Sequence, residues 1–145
     1  MIIEPRTSPD RSGKLVEFAA RRWPSLAGIG LTVVFAVALP DSPWVGRTAL
    51  IAATAAYPVA GLLRHHLHGR KTIALQAAAL AAFTTAAVAT PLMDPGTARI
   101  LLAATWFAHA LWDLAHHRAD RMVPRWYAEG CAVIDTLTAL SLLLL

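Results

Sequence analysis

Five apolar stretches follow one another along the chain, at 24–39, 48–68, 72–90, 98–118 and 125–145, separated only by short runs of Pro, Gly or charge. A helix needs about 17–25 residues to cross the hydrocarbon core at 1.5 Å per residue. The last four stretches reach that length. The first is shorter and is completed at the interface by Trp23 and its flanking arginines. The runs are continuous and rich in Ala and Leu rather than alternating, which argues against a β-barrel. A soluble fold fails on burial: 57% of the 145 residues are hydrophobic and 15% charged, yet a domain of this size leaves about a third of its chain surface wet. The lone cysteine, Cys131, excludes a disulfide scaffold. The expected class is all-α: an integral membrane bundle of about five transmembrane helices at 24–145, preceded by a cytoplasmic segment at 1–23.

Lys and Arg in short loops set orientation. With five spans, one side carries Arg6, Arg11, Lys14, Arg21 and Arg22, then Arg64, Arg70 and Lys71, then Arg118, Arg121 and Arg125; the other side carries only Arg47 and Arg99. The N-terminus is therefore expected in the cytoplasm and the C-terminus outside, in the inner membrane of a bacterium. The formal net charge of +4 reflects these loop anchors beside anionic headgroups, and no basic patch with interleaved aromatics points to nucleic acid. Ala36-Val37-Ala38 resembles a signal-peptide cleavage site, but the charged segment ahead of the apolar run is too long for one. Ser8-Pro9-Asp10 reads as a helix start, followed by an interfacial amphipathic helix with Glu17 and Arg21 paired at i,i+4.

Structural readings cover several other features. Ala52, Ala56 and Ala60, and Ala77 and Ala81, form small-residue ridges for helix packing. Tyr57-Pro58 predicts a kink. Trp23, Trp44, Trp126 and Tyr127 fit interfacial belts, and Trp106 and Trp112 fit lipid contact or the walls of a substrate slot. No phosphate loop, nucleophile elbow or Cys-x-x-Cys occurs, and no inverted repeat suggests a transporter.

The polar residues carry the functional information. All six histidines fall on the cytoplasmic half: His65, His66 and His68 at the close of the second stretch, and His109, His116 and His117 along the fourth. At 100° per residue, His109, Asp113 and His116 lie within an arc of about 60°. Counted from Arg118, Asp113 lies about 8 Å inside the helix end and His109 about 13 Å; Asp135 lies about 15 Å past Arg125, level with His109. An acid at that depth costs on the order of 3 kcal/mol and should face the bundle interior with a partner.

Three readings follow. A divalent metal site would take His109, Asp113, His116 and Asp135 as ligands, with His65 or His68 adding a nitrogen and Cys131 a further candidate; imidazole and carboxylate suit zinc, iron or manganese. A hydrogen-bonded network would lock the helices together without a metal. Haem would need two facing histidines, such as His109 and His65.

The run His109-Ala-Leu-Trp112-Asp113-Leu-Ala-His116-His117, followed by Pro124 and Gly130-Cys131-Ala132-Val133-Ile134-Asp135, resembles a family of small bacterial integral membrane proteins of unknown function. That family shows similar His-x-x-Trp-Asp-x-x-His-His and Gly-Cys-Ala-x-x-Asp runs. The resemblance covers about the last 40 residues, implies no activity, and picks out His109, Asp113, His116, His117 and Asp135. By analogy, Asp113-x-x-His116-His117 and Arg64-His65-His66-Leu67-His68 are also similar to the histidine clusters of membrane di-iron hydroxylases and desaturases, although six histidines are fewer than their usual set.

The expected function is metal-dependent chemistry on a lipid-soluble substrate near the cytoplasmic leaflet, hydrolytic or oxidative, with His117 and Asp120 as candidate acid–base groups. The alternatives are an accessory subunit of a larger membrane complex, or a homo-oligomer, docked through its polar face; a haem-binding electron-transfer subunit; and a proton path along the acid–histidine chain.

Overall fold

A computed structural model describes residues 11–38 and 43–144. It is all-helical: α1 (Arg11–Ala38), α2 (Pro43–Leu63), α3 (Arg70–Ala89), α4 (Pro95–Ala119) and α5 (Arg125–Leu144), with a 3-10 turn at Thr90–Leu92. The expected Ser8 cap and the turn at Pro40, Asp41 and Ser42 lie outside the described residues.

Each break has a local cause. Asp94 caps α4 by accepting the Thr97 N–H at 3.0 Å, with Pro95 as the first helical residue. That bond holds the Asp94 carboxyl below the usual carboxylate range. At the other end of α4, Asp120 turns left-handed (φ 50°) and its N–H closes on the His116 carbonyl. The second apolar stretch was expected to stay helical through His68, but α2 ends at Leu63. His65 takes φ 57°, and the Gly61 carbonyl accepts from both His66 N–H and Leu67 N–H, so the chain folds back. Leu67 then packs on the apolar cluster around Tyr57 and Met122, which is what draws the turn in. His65, His66 and His68 consequently sit in the connection to α3, not on a helix.

Successive helices alternate in direction, and α4 is the hub, packing against α5, α3 and α2. Leu50 meets Leu102 and Trp106 in one buried cluster at one end. At the other end, Tyr57, Met122, Val123 and Ala128 form a second. The contact surfaces of α4 and α5 use small side chains: Ala103, Ala110, Ala128, Ala132 and Ala139 are all buried. The alanine ridges expected on α2 and α3 are not interfaces throughout, because Ala52, Ala77 and Ala81 are exposed. In α3, Gln76, Ala87 and the following Thr90 point inward instead. Trp106, read as lipid-facing or slot-lining, is a buried core residue. Large apolar side chains such as Leu63, Leu75, Ile100 and Phe107 are exposed on the outside, the inverse of a soluble protein.

Three helices are long and apolar enough to cross a membrane on composition alone: Trp44–Leu63, Arg70–Leu92 and Arg125–Leu144, with mean hydropathies of 1.2, 1.6 and 1.4. The other two are long enough but more polar. In α4 the polarity comes from His109 and Asp113, both fully buried, and from Arg99, His116, His117 and Arg118 nearer its two ends. In α1 it comes from the charged residues ahead of Trp23.

The N-terminal segment and the first apolar stretch were expected to be separate helices; α1 is one helix running through Pro24. Glu17 and Arg21 pair as expected on its exposed face, at 2.5 Å. Trp23 packs on Trp126 at 5.4 Å between ring centres. Both are half-exposed, as an interfacial belt requires. Pro24 and Gly28 face α5, where a Cβ on Gly28 would meet the Gly130 carbonyl oxygen at 2.8 Å and Val133 at 3.2 Å. Only glycine lets the two backbones approach this closely.

Gly28→Ala is therefore expected to destabilise the bundle by about 1–3 kcal/mol. Gly30→Ala, with no atom within 4 Å of the added carbon, should be neutral. Thermal unfolding of both variants in mild detergent checks the difference.

Candidate metal centre

Three side chains converge between the two apolar clusters. His109 and Asp113 come from successive turns of α4, and Asp135 comes from the middle of α5. The antiparallel α4–α5 pair puts His109 opposite Asp135: His109 Nδ1 lies 2.6 Å from Asp135 Oδ2 and 3.7 Å from Asp113 Oδ1. One ligand atom from each of the three residues lies within 4.8 Å of the others. His109 and Asp113 are 0% exposed and Asp135 2%.

With Asp135 as a carboxylate and no ion bound, the His109 Nδ1–H donates to it. An ion shared by His109, Asp113 and Asp135 would take the place of that proton on Nδ1. His109 Nε2 has no partner, and neither has Asp113 Oδ2, although both are buried. Buried groups of this kind normally find a partner. The Asp113 Oδ1 accepts the Tyr57 hydroxyl from α2. Phe83 of α3 places its ring edge-on to His109, with centres 5.0 Å apart. Four helices thus contribute to one buried polar centre.

His116 lies apart from this group. Its Nδ1–H donates to the Trp112 carbonyl at 3.0 Å, the Gln76 amide donates to its Nε2 at 3.0 Å, and its ring packs on Tyr57 with centres 4.6 Å apart. With both nitrogens engaged, it has no lone pair to offer a metal. His65 and His68 lie in the α2–α3 connection, His65 exposed and His68 outside the group, so His65 is not brought beside His109 as a haem pair would need. Cys131 is half-buried and also outside the group. His117 donates its Nδ1–H to the Arg125 carbonyl, and Asp120 pairs with Arg125 at 3.3 Å on the exposed end of the bundle. Of the residues singled out from the sequence, the structure brings together His109, Asp113 and Asp135.

Two contributors were not anticipated. Tyr57 was read only as part of a kink, and Gln76 was not singled out. Both are polar side chains inside otherwise apolar helices, where such residues require a partner. That depth was their only sequence signal.

Comparison with known proteins gives no match: no family model, no curated protein and no solved structure is significantly similar to the chain.

The Tyr57–Asp113 contact predicts a measurable coupling. Tyr57→Phe leaves a buried carboxylate without its donor and should cost about 1–3 kcal/mol. The double variant with Asp113→Asn should be markedly non-additive, read by a thermal-unfolding mutant cycle. Additive losses would show that the contact carries no energy.

Proposed function

We propose that the protein is a five-span inner-membrane protein that holds one divalent metal ion on His109, Asp113 and Asp135 and uses it in chemistry on a lipid-soluble substrate. The observation that carries this reading is the three-residue group of ligand-type side chains, in which both carboxylates lie on the Nδ1 side of His109 and Asp113 Oδ2 is buried without a partner among the described residues. Two carboxylates and a neutral imidazole balance a dication in a site with little water to screen charge. Nitrogen and oxygen donors suit zinc, iron or manganese. Three protein ligands leave a coordination position open, as catalytic rather than structural sites do. A bound dication would polarise a substrate oxygen or activate a water in that position.

The chain's own residues supply the rest. Asp135 lies against His109 Nδ1, so the two would share the ion on that edge of the ring. The Tyr57 hydroxyl donates to Asp113 Oδ1 and holds that carboxylate in place beside His109. The apolar clusters on either side keep bulk water out. His117 and Asp120, bonded to Arg125 at the end of the bundle, stand apart from the group and are not placed to touch a reacting atom.

The five-span topology is supported by the alternating helices and by the burial of the polar face of α4. Arg64 donates to the Met122 carbonyl, and Arg22 approaches Glu129. The basic ends of α1, α2 and α5 therefore share one side, the cytoplasmic one by the distribution of positive charge.

A second reading has its own support. The Tyr57–Asp113 and His109–Asp135 contacts join α2, α4 and α5, and would do so as a metal-free polar lock. Metal analysis of protein purified in mild detergent separates the two. The expected result is near-stoichiometric zinc, iron or manganese, lost in Asp113→Asn and Asp135→Asn and kept in His65→Ala and His68→Ala. Metal-free wild-type protein, unable to take up any of the three ions, would leave the polar lock.

A further inference from the structure

A cavity of about 440 Å³ opens between α1, α4 and α5, and none of His109, Asp113 and Asp135 lines it. At the basic end of the bundle it is walled by Arg22, Ser25, His117 and Glu129; deeper in it continues along Leu114 and Leu137, where the one hydroxyl, on Thr136, is turned to its own helix by a bond to the Ala132 carbonyl. From Glu129 to Leu137 the wall runs about 12 Å along α5. A polar mouth at headgroup level with an apolar slot below it has the profile of a phospholipid: headgroup, glycerol and the first part of a chain.

The charges at the mouth narrow the choice. Arg22 and Glu129 form an ion pair at 3.8 Å, too long for a hydrogen bond, so the guanidinium donors are not taken up by the carboxylate. The Arg22 side chain is 61% exposed, with its guanidinium donors free to turn to a phosphate. Glu129 is largely covered, at 23%, and receives the Ser25 hydroxyl on Oε1 at 2.5 Å. That contact fixes the carboxylate and leaves Oε2 for another donor. His117 is held in the wall by its bond to the Arg125 carbonyl. One cation and one anchored carboxylate side by side complement a headgroup that carries both a phosphate and a primary ammonium. An anionic headgroup without an ammonium would set its own charge against Glu129.

We propose that this cavity is a binding site for a zwitterionic aminophospholipid, with the phosphate on Arg22 and the ammonium on Glu129. The site does not depend on a metal at His109, so the two proposals fail separately.

The test is lipid retention by the full chain in mild detergent, read by native mass spectrometry. The lipids are phosphatidylethanolamine, phosphatidylcholine and phosphatidylglycerol with matched acyl chains. Phosphatidylcholine keeps the charges but has no N–H to donate, and phosphatidylglycerol has no cation. Phosphatidylethanolamine is expected to bind about tenfold more tightly than either, the scale of one charge-assisted hydrogen bond. Glu129→Gln should erase that preference, and Arg22→Gln should weaken all three lipids. Leu137→Trp, which fills the apolar slot without altering a charge, should reduce retention of all three while unfolding temperature and metal content stay unchanged. Equal or tighter binding of phosphatidylglycerol, or an unchanged preference in Glu129→Gln, would overturn the assignment.

Discussion

A carboxylate buried inside an apolar helical bundle must be met by protein, because the side chains around it offer neither water nor a counter-charge. This chain carries two, Asp113 and Asp135, and much of the architecture follows from where their partners stand. Asp135 is met by His109 and Asp113 by Tyr57, which binds α5 and α2 to α4. Ala110, Ala132 and Ala139 keep the α4–α5 surface narrow enough for the helices to come close. Gln76 and Phe83 then bring α3 against the same helix, through His116 and His109 respectively. A small helical bundle is thus organised around a polar centre, with apolar clusters as its two caps.

How far the sequence disclosed this depended on the kind of signal. Long apolar runs and the positions of Lys and Arg depend on length and charge alone, and the five helices fall close to the expected stretches. His109, Asp113 and Asp135 were legible because helical spacing and depth put them on one face at one level. His116 met the same rule of spacing and still belongs elsewhere, because a partner on α3, Gln76, engages its second nitrogen. Spacing along one helix cannot say which neighbouring helix a side chain meets. The histidines after α2 misled for a related reason: a helix there would keep the periodicity, but packing of Leu67 beneath the bundle outweighs it. Pro24 looked like a boundary because it removes a backbone donor. Within α1 it faces α5 instead, beside the glycine contact.

The two glycines at that contact explain why α1 belongs to the bundle although it lacks polar ties at the depth of the site. Its purchase on α5 is backbone against backbone at Gly28 and Gly130, flanked at the interface by the Trp23–Trp126 stack and the Ser25–Glu129 bond. Close approach at one crossing forces divergence on either side of it, since straight helices cannot follow each other at contact distance over their full length. The space between α1, α4 and α5 lies alongside this crossing, and the charged groups at its mouth are those that straight packing would have brought together.

In a chain that spans the membrane as proposed, the same polarity bears on how α4 enters it. Alone, it would expose to lipid His109 and Asp113, the polar residues along its middle that it buries most completely. The connection from Ala119 to Arg125 is short, and α5 carries the partner for His109. Insertion of α4 and α5 as one hairpin would satisfy the histidine and Asp135 in a single step, leaving Asp113 to find Tyr57 as α2 packs in. The apolar α2 and α3 need no such partner to span. On this argument the polar site is formed during assembly, closing when the third of its helices arrives.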